Sequence, residues 1–171
     1  MLIKDKTVVG KLTDADINDI ELLLQQEAEL LDTCRYDDWL SLFSADCLYW
    51  VPAAIDQTNA EDYISLFYED RTLMTMRVER LRHPQAHSLI DPLRSSRVVS
   101  NPVLEQFDMA TGNATVSARF IMTEYYRNEQ RIFSGSYQYE LEKTRADYRI
   151  KLKRVNLINC DAILEPIQIF I

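Results

Sequence analysis

Two histidines, His83 and His87, and three cysteines, Cys34, Cys47 and Cys160, are the nitrogen and sulfur side chains of this sequence that commonly ligate transition metals. The histidine spacing would put both rings on one face of a helix. However, Pro84 stands between them, and no Glu follows His83 as a zinc-protease motif requires. An iron site of two histidines and one carboxylate could use both; the plainer reading is two loop histidines making polar contacts. A Rieske centre needs a Cys–His pair twice over. No cysteine here has a histidine two residues on, so the chain cannot supply that set. Nucleophile motifs are missing too: Ser134-Gly135-Ser136 lies inside a strand pattern, and the cysteines have no histidine nearby in sequence. Cys47 and Cys160 read as small buried residues. Three glycines do not build a phosphate-binding loop. Acid–base chemistry is the remaining option. Asp32, Asp37 and Asp38 cluster at a helix break, and Tyr36, Tyr49, Tyr125, Tyr137 and Tyr139 are available as partners. Against this, a tyrosine on an alternating strand more often packs the core with its hydroxyl satisfied. Asp37 and Asp38 equally suit a helix start.

The elements that would position these groups follow from periodicity. Thr13 with Asp16 resembles a capping box, and Ile17, Ile20, Leu24, Ala28 and Leu31 then recur as one helical stripe. A break at Thr33–Arg35 leads to a short helix with Trp39, Leu40 and Phe43 on its apolar side. Ser44–Asp46 reads as a turn and Cys47–Val51 as a strand stopped by Pro52. Residues 53–62 read as a loop and Ile64–Tyr68 as a strand. Arg71–Leu81 reads as a helix with Leu73, Met76 and Val78 partly buried. Pro84 and Pro92 make His83–Ser96 a long irregular segment.

From Arg97 onward the period is two. Ala114 to Met122, Phe133 to Leu141 and Tyr148 to Leu152 alternate apolar with polar, the pattern of long antiparallel strands with one buried face. After Leu152 the apolar parity moves to Val155 and Leu157, which signals a bulge that bends the sheet. Helices first and a curved antiparallel sheet after is an α+β layout. A bent sheet closed by N-terminal helices makes a cone with an apolar interior. That arrangement resembles the nuclear-transport-factor-2-like (NTF2-like) fold, as one domain over residues 1–171.

The net charge of -8 and pI of about 4.8 argue against nucleic acid and against anionic membranes as partners. The first residues mix Lys with Asp and lack an apolar core, so no signal peptide is expected. No apolar run reaches membrane-spanning length, and three widely spaced cysteines suit a reduced, cytoplasmic setting. Two surfaces suggest subunit contacts. One is the arginine-rich stretch of Arg80, Arg82 and His83, followed by Arg94 and Arg97. The other is the nearly uncharged tail with Ile167, Ile169, Phe170 and Ile171, which either packs back on its own sheet or is buried between subunits.

Glu27–Val51, Arg77–His83, Arg97–Pro102 and Arg154–Ile171, in this order and spacing, resemble the small (β) subunits of aromatic-ring-hydroxylating dioxygenases, over nearly the whole chain. The ending Asn159-Cys160-Asp161-Ala162, with the tail after it, is most similar to the branch acting on aromatic carboxylates such as benzoate or anthranilate. The resemblance implies a non-catalytic structural subunit with no cofactor of its own. It implies a complex of three large and three small subunits (α3β3), in which copies of this chain and catalytic α subunits are partners. The Rieske 2Fe-2S cluster and mononuclear Fe(II) would sit on the large subunit, with electrons from NADH through a reductase, with or without a ferredoxin. The family offers no catalytic motif in this subunit, so no catalytic residue is assigned. The competing expectations are a stand-alone cofactor-free isomerase or dehydratase, and a small-ligand-binding module using the same cone.

Overall fold

The computed structural model describes residues 2–3, 13–82 and 93–171. Helix α1 (Asp14–Asp32) starts on the expected capping box: the Thr13 hydroxyl accepts from the Asp16 N–H, and the Asp16 carboxylate accepts from the Thr13 N–H. That hydroxyl, more than the neighbouring Lys143, lowers Asp16 to a pKa of about 2. The helix ends where Cys34 turns left-handed, at φ 56°. There the Arg35 N–H reaches the Leu30 carbonyl and the Cys34 N–H reaches that of Leu31, a Schellman closure. Helix α2 (Tyr36–Ser41) leads directly into β2 (Phe43–Pro52). Then come β3 (Ser65–Asp70), α3 (Arg71–Arg82), β4 (Arg94–Val99), β5 (Val103–Phe107), β6 (Ala114–Tyr126), β7 (Glu129–Lys143) and β8 (Tyr148–Leu157); a two-residue β1 (Leu2–Ile3) pairs with β5.

The sheet order is β1-β5-β6-β7-β8-β2-β3, with β4 also on β6. The β6-β7-β8 meander is antiparallel as the alternation predicts. Its first hairpin turns through Arg127 and Asn128, both left-handed. The sheet as a whole is mixed, because β1–β5 and β2–β8 are parallel pairs. Strands β2 and β8 begin at the same end, where the Ile150 N–H bonds the Leu42 carbonyl at 2.9 Å, so both run the same way. The sheet curves around α1 and α2 as an NTF2-like fold, and α1 packs on β4 and β8.

Curvature comes from β8. Ile150 faces Leu141 and Leu152 faces Glu140, leaving Lys151 as the extra residue of a bulge. Tyr148 and Ile150 point inward before it, and Lys153, Val155 and Leu157 after it. Close approach of β7 and β8 depends on Gly135, where an added Cβ would lie 1.9 Å from the Asn156 carbonyl oxygen.

Four sequence expectations are corrected. Ser44–Asp46, read as a turn, is strand within β2. Helix α3 buries Met74, Arg77 and Val78, and leaves Leu73 and Met76 exposed. The helix is turned so that the Arg77 guanidinium stacks on Phe67 and Phe170, at 3.8 and 4.6 Å from the ring centroids. The supposedly irregular Arg94–Ser96 is strand, paired with Thr123–Tyr125 of β6. Lys153, which would be outward if the alternation of Arg149 and Lys151 simply continued, is carried inside by the bulge and is fully buried.

Candidate functional site

In a cone of this kind the interior is the place to look for chemistry. Here its floor is made by β6, β7 and β8. Val116, Phe120 and Met122 point inward beside Tyr137, Tyr139 and Leu141, and the Phe120 and Tyr137 rings stack at 4.0 Å. Over this floor Glu27 projects from α1 on the same side as Ile20, Leu24 and Leu31. Its carboxylate is 1% exposed and accepts three bonds: from Trp39 Nε1 at 2.9 Å, from Lys153 Nζ at 2.6 Å, and from the Tyr139 hydroxyl at 3.0 Å. The Lys153 ammonium also lies 4.4 Å from the Tyr137 ring centroid. Burial pushes Lys153 down to a pKa of about 8, with Glu27 opposing the shift. Burial raises Tyr137 and Tyr139 well above an ordinary phenol, and the Glu27 charge adds to it.

A second charged pair closes the side of the cone. Asp32, at the end of α1, accepts from the Arg97 guanidinium, from the Arg97 N–H at 2.7 Å and from Ser95 Oγ at 2.8 Å. The Arg97 side chain is 1% exposed, and its other terminal nitrogen donates to the Phe170 carbonyl. Arg77 is paired with Glu69 at 3.2 Å and donates to the Ile169 carbonyl at 3.4 Å.

These bonds hold the tail. The Phe170 ring sits 4.3 Å from Trp39 and 5.4 Å from Tyr49, and the Ile171 N–H donates to the Tyr49 hydroxyl at 3.0 Å. Ile169, Phe170 and Ile171 are buried within the chain, and Ile167 packs partly against the same core. Of the two destinations open to the tail, it takes its own sheet.

The residues expected at a subunit surface are therefore divided. Arg80 and Arg82 are exposed at the end of α3, and Arg82 pairs with Asp37 at 2.9 Å. Arg94 is exposed over the Tyr125 ring at 4.6 Å. The Arg97 side chain and Ile169, Phe170 and Ile171 are buried within this chain, with contacts to its own α1, α2 and β2. His83, like His87, lies outside the described residues.

The acid–base candidates are divided as well. Asp32, Tyr49, Tyr137 and Tyr139 reach the interior. Asp37 and Asp38 are exposed and paired with Arg82 and Arg35, and the Tyr125 hydroxyl donates to Asn128 at 2.9 Å. Cys34 is exposed, and Cys47 and Cys160 are buried. Among the described residues no group of three or more His, Cys, Asp or Glu is placed to hold a metal ion. Glu27 and Lys153 were missed as a pair, although both left a trace: an acid within an apolar helical stripe, and a lysine at the parity that Val155 and Leu157 define as inward. The arrangement makes a rigid, charge-matched interior, with all three strongest hydrogen-bond donors around Glu27 already engaged.

Residues 26–162 match the family described as ring hydroxylating beta subunit. The small oxygenase component of the p-cumate 2,3-dioxygenase system of Pseudomonas putida is 34% identical over 142 residues, covering 80% of this chain and 76% of the relative. The benzoate 1,2-dioxygenase subunit beta of Acinetobacter baylyi is 28% identical, covering 93% and 95%. In structure, the beta subunit of benzoate 1,2-dioxygenase from Burkholderia mallei superposes with a TM-score of 0.71 at 25% identity, over 92% of this chain and 97% of that one. The length of the match and the shared curved sheet agree, and the chain belongs to the ring-hydroxylating beta subunit family.

Proposed function

We propose that this chain is the non-catalytic, structural subunit of a Rieske non-haem iron dioxygenase that adds both atoms of O₂ to an aromatic ring. The observation that carries the reading is the filled cone: Phe170 occupies the position between Trp39, Tyr49 and Arg77, and Glu27 is saturated by Trp39, Tyr139 and Lys153. A general base needs a reachable proton on a substrate, and a carboxylate so engaged is suited to holding α1 on the sheet. The Rieske cluster and mononuclear Fe(II) belong to the catalytic α subunit, with electrons from NADH through a reductase. The assembly is α3β3 and cytoplasmic, and this chain maintains the mutual geometry of the α subunits. Arg80, Arg82 and Arg94 remain candidate contact residues on its surface, with His83 beside them in sequence. An aromatic carboxylate is the substrate class, in keeping with the p-cumate and benzoate relatives.

Co-expression tests this reading. A Rieske-bearing large subunit from the same source should co-purify with a tag placed on this chain. A chain that emerges alone as a stable monomer, or that binds iron itself, contradicts it.

A further inference from the structure

A lysine ammonium is rarely taken fully out of water, yet that of Lys153 lies in the interior of the cone. The bulge at Lys151 turns it inward, where it is the register neighbour of Tyr49 on β2 and of Tyr139 on β7. Glu27 and Asp32 from α1, Arg97 from β4, and Tyr137 and Tyr139 from β7 are the charged and titratable groups that face it. Glu27 accepts one of its N–H bonds at 2.6 Å. Ring faces lie around it as well, with the Tyr137 centroid at 4.4 Å and that of Tyr139 at 5.9 Å.

Three features suit this amine to act as a nucleophile. Burial lowers its pKa to about 8, so that near this pH much of it is free base. Lys151, two residues before it on the same strand, is instead held above the ordinary lysine value by its bond to Asp46. Glu27 stands at hydrogen-bond distance to take the ammonium proton. The Tyr137 hydroxyl is buried without a hydrogen-bond partner among the described residues, which leaves a donor for a carbonyl oxygen on the ring beside the amine.

Phe170 fills the adjoining space. Its ring lies 4.3 Å from Trp39, which shares Glu27 Oε1 with Lys153, and 5.4 Å from Tyr49, the register neighbour of Lys153. The Arg77 guanidinium covers the same ring at 4.6 Å. The space takes one aromatic ring, and it adjoins an amine. Side chains hold the tail in it: Arg77 at Ile169, Arg97 at Phe170 and Tyr49 at Ile171.

We propose that Lys153 is an imine-forming site for a small aromatic aldehyde, closed off by Phe170. The reaction is a condensation and needs neither oxidant nor reductant. Glu27 takes the ammonium proton, and the free electron pair of Nζ attacks the carbonyl carbon. The C=N bond forms as the C–O bond breaks, and the oxygen leaves as water with the two hydrogens of the amine. Water reverses the adduct. The proposal goes beyond the reading of the chain as a structural subunit and does not depend on it.

The test maps modified lysines by mass spectrometry after the full-length chain is treated with benzaldehyde and cyanoborohydride at pH 8, the hydride fixing the imine as a benzylated amine. In wild type, Lys153 should stay unmodified. In Phe170→Ala, with the far-ultraviolet circular dichroism of wild type, Lys153 should be modified about tenfold or more over Lys151. Phe170→Leu takes less from the core; it should give the same ranking at a lower rate, and it decides the matter if the alanine chain loses its fold. Wild type modified at Lys153 as fast as the variants would mean that Phe170 closes nothing, and overturns the proposal. A folded variant in which Lys153 is modified no faster than Lys151 overturns it too.

Discussion

The two faces of one sheet use the same strands and alternate residues, yet they are completed to different degrees. On the inner face each buried charge meets an opposite one: Glu27 with Lys153, Asp32 with Arg97, Glu69 with Arg77, Glu124 with Arg131. Its apolar rings are covered by the chain's own tail. On the outer face Val98, Ile121, Ile132 and Ile158 are each more than half exposed. Burial of charged groups is costly unless they are paired, and the charges of the inner face are matched within the chain, whereas the Tyr137 hydroxyl is buried there without a hydrogen-bond partner among the described residues. The outer face has the apolar surface that another protein would cover.

The largest effect should come from breaking the inner pairing. Lys153→Met leaves Glu27 buried without its counter-charge and should cost about 3–5 kcal/mol in urea unfolding. The double variant Glu27→Gln, Lys153→Met should recover much of that loss. If the single variant is neutral, the interior does not depend on this pair. Phe170→Ala removes the ring between Trp39 and Tyr49 and should cost about 3 kcal/mol, read as a lowered thermal midpoint. A tail that merely rests on the surface would make it neutral.

The inner tyrosines set the alkaline limit. Burial is the first cause that raises Tyr49, Tyr137 and Tyr139 above the ordinary phenol value of 10.0. Above that value the unfolded chain gives up these protons and the folded chain keeps them. The stability is therefore fully present below pH 10 and lost as pH rises, by about 1.4 kcal/mol per pH unit for each such tyrosine. Lys153, lowered to about 8, works in the opposite sense between about 8 and 10.5, where the unfolded chain holds the extra proton. Urea titrations across pH 8–11 should show a gentle rise followed by a steep fall. A flat profile would mean that these hydroxyls are not sequestered. The smallest effect belongs to the outer face: Ile132→Ser, measured on dilute, dissociated chain, should change stability by no more than about 0.5 kcal/mol. A larger loss would place Ile132 in the monomer's own core.

Much of this contrast was legible in the sequence, because alternation and helical periodicity are local signals. Thr13 and Asp16 marked the start of α1, Thr33–Arg35 its end, and the alternating runs marked β6, β7 and β8. The parity switch after Leu152 announced the bulge, although following it one step further would have turned Lys153 inward. What stayed hidden is non-local. The parallel pairing of β2 with β8 joins strands about a hundred residues apart in sequence, well over half of the chain, and leaves no local pattern. The destination of Phe170 depends on the space left between Trp39 and Tyr49. Strand β4 was masked by the prolines just before it, and the rotation of α3 by Arg77, whose long side chain is buried by stacking on two rings.

The central claim, a closed interior and a partner-bearing exterior, is tested most directly by isolating the complex through a tag on this chain after co-expression with its Rieske-bearing large subunit. The account predicts equimolar subunits, with all iron and the Rieske absorption leaving with the large subunit when the complex is dissociated. A chain that elutes alone, or that retains iron after dissociation, would contradict it.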